Sequence, residues 1–145
     1  MLDKHGYIVA TTEIVAGNHN DAYKLKSNLR DAFNEIKQLG LRLRGAYFNT
    51  DNGFDTREAR KLCFNHGLIP NIPENKRNRK RGKPGPKRLF NVPVYKERFC
   101  AERTFAWVDK FKRLIIRFER MAQYFLGLPY VAFAMINLRN TILKV

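Results

Sequence analysis

Two carboxylates and one basic run carry most of the chemistry this chain can offer. Asp51 lies in "TDNGFD" (50–55), where the apolar run "LRLRGAYFNT" (41–50) meets the turn residues Asn52 and Gly53. An acid at the carboxyl end of a strand stands where open α/β sheets bind their ligands. Asp-Asn-Gly is also a good turn former, and an Asp there commonly accepts backbone hydrogen bonds. Glu102 sits between Arg98 and Arg103, directly ahead of the aromatic stretch "RTFAWVDKF". A Glu in a helix's first turn favours the macrodipole, so a solvated surface role competes with a chemical one. The run "NKRNRKRGKPGPKR" (75–88) holds eight basic side chains and no acid. Lys76, Arg77, Arg79, Lys80, Arg81, Lys83, Lys87 and Arg88 suit phosphate neutralisation, with salt-dependent binding as the consequence. No aromatic interleaves them, so base stacking is not indicated there.

The other reactive residues form no pattern. Cys63 and Cys100 stand alone, without C-x-x-C spacing, and His5, His19 and His66 make no ligand set with them. Reduced cysteines and no zinc site are expected.

The elements that must position the acids come from periodicity. "YIVATTEIV" (7–15) reads as a strand, and Asn20 or Asp21 is placed to cap the next element. In 22–39, Leu25, Leu29, Ala32, Phe33, Ile36 and Leu39 make one helical stripe, closed by Gly40. A strand over 41–50 runs into Asp51. Asp55 or Thr56 then caps a helix, "REARKLCFNH", that ends at Gly67. "LIPNIP" (68–73) is an edge strand or the start of a loop. This strand–helix alternation implies parallel pairing with helices on the sheet faces. The basic run is expected to be a flexible loop within the domain, and "LFNVPVYKE" (89–97) a short extended piece. A long helix is expected from Arg98, with Phe105, Val108, Phe111 or Lys112, Ile115, Phe118, Ala122 and Phe125 at three- and four-residue steps. Gly127 and Pro129 should stop it, leaving a last helix with Pro129 in its entry.

With 145 residues, 44% hydrophobic content and a formal charge of +15, the chain is expected to be one globular domain whose partner is a polyanion. Nucleic acid comes first. A membrane surface rests on charge alone, since no basic amphipathic helix stands out. The start of the chain does not resemble a signal peptide, and "FLGLPYVAFAMINL" (125–138) is too short to span a bilayer.

The ordered set Asp51, Gly53, Gly67, Pro70, Arg98, Glu102, Trp107 and Arg117, above all the block Tyr95–Glu119, resembles the C-terminal part of the DDE catalytic domain of bacterial insertion-sequence transposases. The similarity runs from about Gly6 to Leu138. It implies an α/β fold: a ribonuclease-H-like mixed sheet with flanking helices, here incomplete at the N-terminus. Asp51 matches the second acid of the catalytic triad and Glu102 the third. Both would be metal ligands for Mg²⁺ or Mn²⁺. The family signature of Tyr, Arg, Glu and Lys is met by Tyr95, Arg98 and Glu102. Its Lys falls on Asp109, and Lys110 is one step late as the DNA-holding residue. The first acid is not matched, because Asp3 and Asp21 align with other segments.

The resemblance implies DNA transposition, by metal-dependent cleavage and strand transfer at element ends, with the chain inactive by itself. Its partners would be terminal-repeat and target DNA, with a second copy of the chain or an upstream reading-frame product, in the bacterial cytoplasm at the nucleoid. The alternative is a basic DNA- or RNA-binding protein that does no chemistry.

Overall fold

The computed structural model describes residues 1–13, 19, 23–75, 90–115 and 120–142. These form two compact units, Ala10–Lys96 and Met1–Val9 with Glu97–Val145.

In the first unit the expected amphipathic helix is α1, Leu25–Gln38, and Leu29, Ala32, Phe33 and Ile36 are its buried stripe. Leu39 is left 62% exposed, so the stripe ends a turn early. Gly40 has φ +73°, its N–H donates to Lys37 O at 3.0 Å and that of Leu41 to Ile36 O at 3.2 Å. Those two bonds satisfy the last helical carbonyls and need a left-handed residue, which glycine supplies without strain. The caps expected at Asn20 or Asp21 lie outside the described residues.

The chain then forms β1, Tyr47–Asn49, and after α2, Arg57–Asn65, it forms β2, Ile69–Asn71. The strands are parallel, with Tyr47 opposite Ile69, Phe48 opposite Pro70 and Asn49 opposite Asn71. This is the strand–helix–strand unit that the alternation implied, because a parallel pair needs a crossover. The strand expected over 41–50 is shorter than read. A turn at Leu43–Ala46, with Gly45 at φ +82°, interrupts it. Phe48 meets Phe33 edge to face at 5.3 Å, which fastens the sheet to α1. Gly67 has φ +77°, and a Cβ there would come within 3.3 Å of Arg44 Cα, so both conformation and space call for glycine.

The segment read as extended at 89–97 is instead a short helix, α3, Val92–Lys96. Asn91 decides this: its side-chain oxygen accepts the Val94 N–H at 3.1 Å, which is a helix cap.

In the second unit the long helix expected from Arg98 is divided. Helix α4 spans Phe99–Val108 and α5 spans Lys112–Ile115, with Asp109 closing the first and Phe111 at a bend. The buried residues of α4 are Cys100 and Thr104, and Phe105 is 63% exposed. The apolar period therefore marked the wrong face. Helix α6, Ala122–Ile142, runs through Gly127 and Pro129 instead of beginning there. A proline removes one N–H from a ladder 21 residues long, and Ala132 and Ile136 bury beyond it.

The N-terminal strand is also not formed over its described part. Leu2 and Ile8 make a single antiparallel bridge. Ile8 spends both backbone groups on the Asn137 amide, donating to Oδ1 at 2.8 Å and accepting from Nδ2 at 2.9 Å. A side chain of α6 thus takes the place of a neighbouring strand. The described part of the molecule is mixed α/β with a two-stranded parallel sheet, smaller than the mixed sheet the resemblance implies.

Candidate functional site

Asp51 follows β1 at its carboxyl end and opens a 3-10 turn over Asn52–Phe54. Its backbone does the turn's work, since Phe54 N–H donates to Asp51 O at 3.1 Å. Its side chain makes no capping hydrogen bond to that turn, and the residue is exposed. The turn-former reading therefore accounts for the backbone of Asp51 and not for its carboxylate.

Four residues on, Asp55 has the opposite role. Its side chain is 1% exposed and pairs with Arg60 Nε at 2.8 Å, while its second oxygen accepts Asn75 N–H at 3.0 Å. Arg60 also donates to Ile72 O at 2.7 Å. A buried pair with each of these groups satisfied is structure, and it ties the start of α2 to the chain leaving β2. The cap of α2 falls to Thr56, whose hydroxyl accepts Ala59 N–H at 3.1 Å.

Beneath Asp51 the ends of the two strands are joined by asparagines. Asn71 is 1% exposed, and its amide donates to Asn49 Oδ1 at 2.8 Å and to Asn91 O at 2.9 Å. It accepts Asn91 N–H at 2.8 Å, and Asn49 donates to Val94 O at 3.1 Å. This network holds α3, which carries Tyr95, to the strand ends that precede Asp51. Tyr95 is half-buried and stands 5.0 Å from the Phe90 ring. Sequence reading missed the network. Its trace was two strands ending in Asn at one register position, "YFN" and "IPN".

In the other unit, Glu102 lies in the first turn of α4 with its side chain 59% exposed. Arg98 Nη2 is 3.6 Å from Glu102 Oε1, an i, i+4 pair as expected. Lys110 follows α4, and its Nζ lies 3.7 Å from the centroid of Trp107. Arg139, on α6, brings its guanidinium carbon to 3.3 Å from the same centroid. Arg139 is a second residue that sequence reading passed over, because 32 positions separate it from Trp107 and no local period joins them.

Asp51 and Tyr95 thus belong to one unit, and Arg98, Glu102 and Lys110 to the other. Among the described residues, no three His, Cys, Asp or Glu side chains gather as a donor set for a metal ion. Carboxylate oxygens such as those of Asp51 and Glu102 are nevertheless the donor type that Mg²⁺ and Mn²⁺ prefer. Lys76, Arg77, Arg79, Lys80, Arg81, Lys83, Lys87 and Arg88 lie outside the described residues, as does the flexible loop expected over 75–88 apart from Asn75.

The thiols are poor nucleophiles. Burial pushes the Cys63 thiol up to about 12, against a smaller opposite pull from Arg60. Burial also raises Cys100, and the thiolate is the reactive form. No helix among the described residues is long and apolar enough to cross a membrane.

The family model described as a transposase DDE domain matches residues 48–139, a span that begins in β1 and ends in α6. No curated protein matches the chain, and no solved structure does.

Proposed function

The chain belongs to the transposase DDE domain family, whose work is transposition and whose partner is DNA, and from that premise we propose that Asp51 and Glu102 are two of the three carboxylates of a phosphodiester-transfer site. The observation that carries the assignment is position: Asp51 is exposed at the carboxyl end of β1, within the span that the family model matches.

DDE transposase domains generally use divalent metal ions. Asp51 and Glu102 would hold Mg²⁺ or Mn²⁺, which when bound polarises a phosphoryl oxygen and lowers the pKa of the attacking water or 3′-hydroxyl. The protein's own contribution is placement. Asp51 is anchored by the strand pairing and the asparagine network beneath it. Arg98 sits one helical turn before Glu102, with Nη2 3.6 Å from Oε1, where it can accompany that carboxylate or touch a phosphate. The basic residues 76–88 would track the DNA backbone.

Asp3 is not assigned as the first acid. Its Oδ1 accepts the N–H groups of His5 at 2.9 Å and Tyr7 at 2.8 Å, closing a local turn. The first acid is unmatched in the resemblance, so the chain by itself is read as binding DNA, and an upstream frame product is the partner proposed to supply the missing carboxylate.

The test uses donor DNA that contains the coding segment and its flanks, incubated with Mg²⁺, this chain and the polypeptide encoded immediately upstream. Strand cleavage is expected from the pair and lost in Asp51→Asn and Glu102→Gln. Cleavage that persists in both variants would refute the assignment. Salt-sensitive binding with no cleavage under any combination would favour the alternative, a basic nucleic-acid-binding protein without chemistry.

A further inference from the structure

We infer that Lys110 and Arg139, gathered on the ring of Trp107, form a binding site for the phosphate backbone of duplex DNA, with Arg139 as a contact residue and Trp107 as its shelf. The inference rests on the reading of this chain as a DNA-binding transposase segment and adds a place and a residue to it.

Three observations lead there. First, Lys110 Nζ and the Arg139 guanidinium lie 3.7 and 3.3 Å from one indole centroid, so the two cationic heads stand within about 7 Å of each other. Like charges brought that close repel, and the ring face attracts each of them, which leaves two positive groups at one spot. Second, both residues are exposed, and among the described residues neither makes an ion pair with a carboxylate. Asp109, next in the chain to Lys110, is exposed and also outside any such pair among the described residues. The anion that would balance this spot is therefore not supplied by the described part of the chain.

Third, the elements fit a fixed site. Helices α4 and α6 pack on each other in the same unit, and Thr104 of α4 and Asn140 of α6 both donate to Gly6 O, at 3.1 and 3.5 Å. The indole between Lys110 and Arg139 thus rests on a braced corner rather than on a loose terminus. A planar guanidinium stacked on an aromatic ring keeps its edge donors directed outward, the geometry that serves phosphate oxygens. Successive phosphates of one strand rise by about 3.4 Å, so cations up to about 7 Å apart can take one phosphate or two on the same strand.

Trp107 is the one tryptophan of the chain, so its emission reports on this spot alone. The experiment titrates the full chain with a duplex of random sequence at several salt concentrations, following Trp107 fluorescence and, separately, the anisotropy of labelled DNA. The wild type is expected to show a change in Trp107 emission that saturates with binding. Arg139→Gln should lower the slope of log K against log salt by about 0.9, the loss of one phosphate contact, and Arg139→Lys should restore it. Trp107→Leu keeps both charges and should weaken binding with the slope largely retained.

A wild type that binds the duplex while Arg139→Gln leaves the slope unchanged would overturn this inference and leave the transposase reading standing. A wild type with no salt-dependent duplex binding would overturn both. Circular dichroism of Arg139→Gln and Arg139→Lys separates a lost contact from a lost fold, because Arg139→Lys keeps the charge whatever the packing effect.

Discussion

The two compact units carry different charge contacts, although the first also has exposed pairs at Lys24–Glu13 and Arg30–Asp31. In Ala10–Lys96, Asp55 and Arg60 are buried against each other and each finds further backbone partners. In the other unit, Arg98 and Glu102 pair at 3.6 Å with both side chains partly exposed, and Lys110 and Arg139 lie 3.7 and 3.3 Å from the centroid of Trp107. Buried charge must be matched group by group, because leaving one partner alone in the interior is expensive. Exposed charge is cheap to leave open and so remains available to a ligand. Among the described residues, buried charge is matched and structural, and exposed charge is where the proposed DNA contacts lie. Asp51, in the first unit, is exposed as well.

The sharpest way to break that contrast is to remove one half of the dry pair. Arg60→Met leaves the Asp55 carboxylate buried without its cation and should cost about 3–5 kcal/mol in urea unfolding. A loss below about 1 kcal/mol would place the pair with the surface charges after all. Next comes the asparagine network. Asn71→Leu strands the backbone groups of Asn91 and should cost about 2–3 kcal/mol by the same measurement. Thr56→Ala removes the cap of α2 and should cost about 1 kcal/mol. A null result there would mean that Asp55, and not Thr56, holds the helix start. Glu102→Gln should change stability by under about 0.5 kcal/mol, since an exposed i, i+4 pair contributes that little. A larger loss would make Glu102 a structural residue and weaken its assignment as a catalytic acid.

The smallest effect is a pH dependence at His66. Burial lowers its pKa, with Lys37 adding to the shift, and its buried Nδ1 finds no hydrogen-bond partner among the described residues. The folded state resists the proton that the unfolded state accepts. Stability from this residue is therefore present above pH 6.5 and lost as pH falls through the lower folded value. His66→Gln should flatten unfolding midpoints between about pH 7.5 and pH 5 relative to wild type. An unchanged profile would assign that acid sensitivity to other groups.

Local pattern carried the first unit further than the second. The stripe of α1, the glycines that close α1 and α2, and the strand–helix–strand order were all legible, because each is set by neighbours within a few positions. In the second unit the same reasoning failed three times. It joined α4 and α5 into one helix, ended a helix at Pro129 and chose the face of Phe105 over that of Cys100 and Thr104. Helices α4 and α6 are apolar on more than one side, so period alone could not say which side meets a neighbour. In the candidate site, Asp51, Glu102 and the Arg98–Glu102 spacing were readable, while Arg139 and the asparagine network were not.

By itself, then, the sequence determined the helix stripe of α1, the turn that exposes Asp51 and the ordered acids and arginine that mark the family. Those depend on short-range spacing, which the backbone converts directly into geometry. Only the tertiary structure decided that Asn137 would take a strand's place beside Ile8, that Asp55 would be consumed by Arg60, and that Arg139 would reach Trp107 from 32 residues away. Each of these is a contact whose partner is chosen by packing, and packing selects among distant residues that no local period distinguishes.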